Sequence, residues 1–241
     1  MTEIRNYDTA DLVAKAAAQN AVEILSLAIT QHGRATWVLA GGSSPILAYK
    51  EIIKNYSDAL DWSKVVLIIG DERFVPLSHK DSNWGAIIRI FDANELTTKV
   101  QRVEPLIADT AALTASMYQA EIESLTIPRF DLVWIGVGED GHTLSLFAGN
   151  SAFTSPTDQW VIPVYDSPKP PSERITLSLK ALEYIAELVI FAVGASKREV
   201  LRQARLKRTV PVAVAAEVAE MNGAEVRWLY DDAAWEEVDG Q

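Results

Sequence analysis

The chain contains no cysteine. Disulfides, thiolate metal sites and thiol nucleophiles are therefore excluded. Histidine is scarce, with three in 241 residues, so the setting of each one carries information. Basic residues are outnumbered. Lysine and arginine total 22 against 33 aspartates and glutamates, for a formal net charge of −11. A nucleic acid or an anionic membrane as main partner requires broad basic surface, which this balance does not supply. A small anionic ligand requires only a few cations in one place. No charge-free apolar stretch approaches the roughly 18–20 residues of a membrane helix. The opening MTEIRNYDTADLVAKAAAQN lacks the apolar run of a signal peptide. The expectation is a soluble cytoplasmic protein without a nucleic-acid or membrane partner.

What is present is apolar bulk in a particular rhythm. About half the residues are apolar, at 49%, enough to bury a full core. Short apolar runs rich in β-branched residues recur at 35–40 (ATWVLA), 64–70 (KVVLIIG), 130–137 (FDLVWIGV) and 187–194 (ELVIFAVG). Runs of this kind are strands covered on both faces. Helical spacing predicts helices over 8–31, from Pro45 onward, and over 82–92, 109–125, 195–206 and 212–222. Asp8 or Thr9 caps the first, and Asp81 or Ser82 caps the third. A short strand is expected near KVQRVE, strands of a more antiparallel section at DQWVIPVY and RITLSL, and a last strand at EVRWLY. Strands alternating with helices give an α/β fold, a mostly parallel Rossmann-like sheet in three layers with a smaller, partly antiparallel section. The one proline-rich stretch, PVYDSPKPPSER at 163–174, reads as a surface loop, so residues 1–241 form one domain.

In open parallel sheets, ligands bind beyond the C-terminal ends of the strands. Four such ends carry unusual residues. They are Gly41-Gly42-Ser43-Ser44, Asp71-Glu72-Arg73, Gly138-Glu139-Asp140-Gly141-His142 and Gly194-Ala195-Ser196-Lys197. The first offers backbone N–H groups and two hydroxyls to an anion, or is a tight turn with Ser44 as helix cap. Lys197 falls in the first turn of a helix, where a cation opposes the macrodipole unless an anion lies between them. Arg174 is either a second cation or an ordinary exposed arginine. Arg73 either binds phosphate in a forked manner or pairs with Asp71 or Glu72.

His142 is the candidate base, since imidazole titrates near neutral pH, and Asp140 is positioned in sequence to orient it. The competing role is a histidine that caps the next helix. His32 and His79 read as surface residues. Gly136, Gly138 and Gly141 spell a dinucleotide-type glycine pattern. Glu139 and Asp140 would repel a pyrophosphate there, and no acid ends a second strand about 20 residues on.

Taken together and in order, LAGGSSPILAYKEI, GDERFVPLSHKDSN, DLVWIGVGEDGHTLSLFAG, SERITLSLKAL, VGASKREVL and VRWLYDDAA resemble the 6-phosphogluconolactonase family, within the wider glucosamine-6-phosphate deaminase superfamily. The resemblance runs from residue 39 to 234. It implies hydrolysis of 6-phosphogluconolactone to 6-phosphogluconate in a pentose phosphate or Entner-Doudoroff route, with no cofactor and no metal. It places His142, Asp140, Asp71 and Arg73 at the chemistry. Gly42, Ser43, Ser44, Arg73, Arg174 and Lys197 then bind the substrate and its phosphate. The partner is thus a small sugar-phosphate lactone, and a monomer or weak homo-oligomer is expected. Two positions depart from the family pattern. Ser44 replaces a threonine and keeps the hydroxyl, and Ala148 replaces a proline without removing a functional group. The deaminase branch carries tyrosine where Arg73 stands and an Asn-Glu-Pro element where this chain reads TLSLFAGN, without a carboxylate. Isomerising an aldose to a ketose needs such a base. The remaining alternative is a sugar-phosphate sensor, which would add a DNA-binding helix pair that this acidic chain does not display.

Overall fold

The four apolar runs become the centre of one sheet. In the computed structural model, which describes residues 2–235 apart from 94, 96–98 and 208, they are β2 (Ala35–Leu39), β3 (Val65–Ile69), β6 (Phe130–Gly136) and β9 (Ile185–Ala192). β2 and β3 are buried at every position, as double coverage requires. β10 (Glu225–Asp231), β5 (Gln101–Arg102) and β1 (Thr2–Tyr7) complete the order β1-β10-β9-β6-β2-β3-β5, with every pairing parallel. From β2 the chain adds strands outward through β3 in one direction and through β6 in the other. The point where the order reverses therefore lies between β2 and β6, and a crevice at their C-terminal ends follows from that reversal.

Helices α1 (Ala10–His32), α2 (Ser43–Tyr56), α3 (Asn83–Asp92), α4 (Ala111–Ser124), α6 (Arg198–Lys207) and α7 (Pro211–Met221) flank the strands, and α5 (Ser151–Thr154) is a single turn. Thr9 caps α1, accepting the Leu12 N–H, and Gly33 ends it in the left-handed region. By length and composition α1 is the one helix among the described residues that could cross a membrane. Here its apolar stripe from Val13 to Ala28 is buried in the core, while Leu12 faces solvent. Trp37, Tyr49, Phe91, Trp134 and Phe191 interlock at the sheet centre, with ring centroids 4.8 to 6.4 Å apart.

Two elements differ from the sequence expectation. β1 carries no apolar alternation and only polar neighbours around Ile4, so its backbone pairing with β10 decides its form. Residues 71–73, expected as a loop at a strand exit, form strand β4 (Asp71–Arg73). β4 pairs antiparallel with β8 (Arg174–Leu177), which pairs antiparallel with β7 (Val161–Val164), forming a second, three-stranded sheet. The antiparallel section is therefore as expected, with one strand more.

Two buried tyrosines fix the places where strands give way to loops. The Tyr49 hydroxyl accepts from the Ala40 N–H (2.9 Å) and donates to the Ala40 carbonyl (3.0 Å). The Tyr118 hydroxyl does the same for Ile69, at 2.7 and 3.1 Å. A backbone that leaves its ladder must find partners elsewhere when buried. These hydroxyls provide them, immediately before Gly41 and just before Asp71.

Candidate active site

All four polar strand ends meet around one cavity of about 450 Å³ at the C-terminal side of the sheet. Its wall includes Gly41 through Ser44, Asp71, Arg73, Gly138, Glu139, His142, Arg174 and Lys197. Among the described residues, four cations line it (Arg73, Lys169, Arg174, Lys197) against two carboxylates (Asp71, Glu139). In a chain with a formal charge of −11, that local excess selects an anion.

One end of the cavity is the start of α2. Its N-cap is Gly42 and no side chain caps it, so Ser44 is not the capping residue. The N–H groups of Ser43 and Ser44 lie in the first turn, where no intrahelical acceptor exists. Pro45 follows without an N–H of its own. Two donors, two hydroxyls and the positive end of a 14-residue helix thus face one space. Lys197 closes a 3-10 turn, Ala195–Lys197, ahead of α6 rather than sitting within that helix. Partial burial lowers its pKa, the nearby Glu139 charge opposing that shift.

The second sheet supplies another wall. Alternation along β4 sends Asp71 and Arg73 to one face and Glu72 to the other. Glu72 is fully buried and accepts from the N–H groups of Arg73, Asn83 and Trp84 and from the Ser82 hydroxyl, at 2.7 to 2.9 Å. It ties β4 to the start of α3 and does not pair with the Arg73 guanidinium. Arg73 instead donates through Nη1 to the Asp81 carbonyl (2.7 Å), and its Nε is buried without a partner among the described residues. Arg73 and Arg174 are directly opposed in the β4–β8 register. Like charges in that position repel, which an anion in the cavity relieves. Arg174 is no exposed arginine, with only 3% of its surface accessible. Asp71 accepts from the Ser145 hydroxyl at 2.6 Å, and its backbone carbonyl accepts from Asn83 Nδ2 at 3.0 Å.

The histidine loop explains its own glycines. A methyl group on Gly138 would collide with the His142 imidazole and the Asp140 carboxylate, so only glycine lets the ring lie across the backbone. Gly141 has φ of +78° and sits against Val200 and Val210. His142 caps no helix. Its Nδ1 meets Asp140 Oδ1 in a short contact, and its ring stacks on Phe147 with centroids 4.4 Å apart. Burial lowers the His142 pKa from its ordinary 6.5, the Asp140 hydrogen bond opposing and the Lys169 charge reinforcing the shift. Burial resists ionisation of Asp140, but the His142 and Lys169 contacts outweigh it and hold that carboxyl to about 2. At neutral pH the pair is therefore a carboxylate beside a neutral imidazole.

Between the lowered pKa and 6.5, the unfolded chain binds a proton that folded His142 refuses, so folding weakens as pH falls below about 6.5. Melting temperature against pH for the wild type and for His142→Gln should show a shallower acid slope in the variant.

Sequence reasoning missed three residues. Lys169 lines the cavity, with Nζ 3.2 Å from Asp140 Oδ1. Asn83 lines it beside Asp71, and buried Ser145 holds the Asp71 carboxylate. A lysine between prolines carried a faint signal, being the one cation inside an otherwise stiff loop. His32 and His79 lie outside the cavity, as expected; His32 Nε2 lies 3.0 Å from Asp131 Oδ1.

The chain is similar to known proteins along nearly its whole length. Residues 8–228 match the family described as glucosamine-6-phosphate isomerases/6-phosphogluconolactonase. This chain belongs to that family. Within the isomerase/lactonase family, a putative 6-phosphogluconolactonase of Caenorhabditis elegans is 34% identical over 188 residues, covering 75% of this chain and 69% of that protein. A probable 6-phosphogluconolactonase of Schizosaccharomyces pombe is 29% identical over 245 residues, covering 96% and 94%. The crystal structure of a 6-phosphogluconolactonase from Shewanella baltica is 26% identical with a TM-score of 0.79, covering 96% of this chain and 98% of that one. A 6-phosphogluconolactonase from Trypanosoma cruzi, 23% identical, shares the fold with a TM-score of 0.84 over 100% and 98% of the two chains.

Proposed function

We propose that this protein hydrolyses 6-phospho-D-glucono-1,5-lactone to 6-phospho-D-gluconate, with His142 as general base. The observation that carries the reading is an imidazole held through Nδ1 by a carboxylate at the wall of a cation-rich cavity. The named relatives support the same substrate.

The start of α2, through the N–H groups and hydroxyls of Ser43 and Ser44, holds the substrate phosphate together with Lys197. Gly42 lets the backbone turn toward it. Arg174 adds its charge from the wall. With Nδ1–H donating to Asp140, the lone pair of His142 is on Nε2. That nitrogen takes a proton from water, and the hydroxide oxygen bonds to the lactone carbonyl carbon. In the loop, the Gly138 N–H donates to the His142 carbonyl (2.8 Å) and the Gly141 N–H to the Gly138 carbonyl (2.9 Å). Those two donors are spent within the loop. A cation takes the oxyanion, and Arg73 is the one placed with Asp71 on the same strand face. The ring C–O bond then breaks, and the imidazolium returns its proton to the departing oxygen. Asp71 holds a sugar hydroxyl.

The deaminase reading lacks its second base. Residues 143–150 contribute Thr143 and Leu144 to the cavity but no carboxylate. Incubation with glucosamine 6-phosphate and ammonia detection, run beside lactone decay, tests this. Lactone loss without ammonia is expected, and ammonia without lactone loss would reverse the assignment. Lys197→Ala is expected to raise KM roughly 10–100-fold, since a hydrogen bond to a charged group contributes about 1.5–3 kcal/mol. Its kcat should change little, because phosphate is bound alike in ground and transition states. A large fall in kcat at constant KM would place Lys197 at the chemistry instead.

A further inference from the structure

Arg174 spends its guanidinium on the protein. Nε donates to the Pro171 carbonyl (3.1 Å), Nη2 to the Lys169 carbonyl (2.8 Å), and Nη1 lies 3.4 Å from Ser145 Oγ. The group also stands over the Phe147 ring, 5.4 Å from its centroid, and Phe147 stacks on His142. A planar fork that binds two carbonyls of one loop fixes that loop's path. The loop is further closed by the Ser167 N–H to the Ser172 carbonyl (2.9 Å) and by Ser167 Oγ to the Lys169 carbonyl (3.0 Å). What this closure delivers is the Lys169 ammonium, 3.2 Å from Asp140 Oδ1 and 3.5 Å from His142 Nδ1.

We propose that Arg174 and Lys169 are positioning residues. Arg174 clasps the 165–173 loop so that the Lys169 ammonium offsets the Asp140 charge acting on His142. The inference rests on the reading of His142 as the base. Burial favours the neutral ring, Asp140 pulls toward an imidazolium that is useless as a base at neutral pH, and the Lys169 charge opposes that pull. Three charged groups act on the ring: Asp140 from its own loop, Lys169 from the clasped loop and Asp71 from β4. Arg174 of β8 stands behind Phe147, which stacks on the ring. Lys169 is the cation among them that touches the Asp140–His142 pair directly.

The three histidines make the test tractable, because imidazole NMR signals of so few residues resolve and His142→Gln identifies the one wanted. Its titration midpoint is measured in the wild type, Lys169→Met, Arg174→Lys and the double variant. Lys169→Met should raise the midpoint by on the order of one pH unit. Arg174→Lys keeps the charge but loses the fork, and should raise it in the same direction. The double variant should go no further than Lys169→Met alone. The Lys169 side chain is about half exposed, so Lys169→Met is expected to stay folded. An unmoved midpoint there would overturn the proposal. Arg174→Lys with a lowered melting temperature and an unmoved midpoint would also overturn it, reducing Arg174 to a structural residue. The readout does not depend on turnover. Shifted midpoints in a protein that fails to hydrolyse the lactone would uphold the clasp and remove the assigned reaction.

Discussion

Gly138→Ala is expected to lose roughly 100-fold or more in kcat for lactone hydrolysis while the protein stays folded. The new methyl group would fall on the His142 ring and against Asp140 Oδ1. The backbone at 138 is no obstacle, since it is not in the left-handed region. The collision is with side chains, so the cheaper response is for the imidazole to swing aside. His142 keeps 18% of its side chain exposed and has somewhere to go. A misplacement of about 1 Å at a reacting group costs about 10²-fold. Steady-state kinetics and a melting curve on the same sample check this. A near-normal kcat would show that the ring does not need the place the loop gives it.

His142→Ala is the second large effect. General-base catalysis contributes about 10²–10⁴ in rate, or roughly 3–5 kcal/mol of barrier. The loss should appear in kcat, with KM little changed, because the phosphate anchor proposed at Ser43, Ser44 and Lys197 lies on other loops than the ring. Removing the imidazole also leaves Asp140 with Lys169 as its side-chain partner, a pair exposed enough to remain hydrated. Folding is therefore spared. A kcat within a few-fold of wild type would move the base elsewhere, and Asp71 would be the next candidate in the cavity.

Much of this was legible because burial writes itself into composition. β3 is an unbroken apolar run, and β2, β6 and β9 are each interrupted once, by Thr36, Asp131 and Glu187; a strand buried on both faces is mostly apolar. The polar ends of those runs had to gather on one side, since a parallel sheet puts all its C-terminal ends together. β1 left no such mark: TEIRNY is held by backbone pairing with β10, and its side chains are largely exposed. β4 was hidden for another reason. Three residues are too few to show a period, so the separation of Asp71 and Arg73 from Glu72 emerged only once β8 was beside them. Lys169 was the least visible. Its reach to Asp140 depends on a loop folded by Arg174, and no spacing rule predicts where a proline-rich loop returns.

The glycines of the histidine loop act on the histidine. Gly138 leaves room for the His142 ring, and Gly141 turns the loop against Val200 of α6 and Val210 at the start of α7. Both are constraints on where His142 can be.

The most direct test is the rate of lactone disappearance. 6-Phosphogluconolactone generated in situ from glucose 6-phosphate by a dehydrogenase is followed with and without the wild-type protein, and spontaneous hydrolysis is subtracted. Decay accelerated in proportion to protein concentration is the predicted result. Decay indistinguishable from the spontaneous rate, in a sample shown to be folded, would contradict the account.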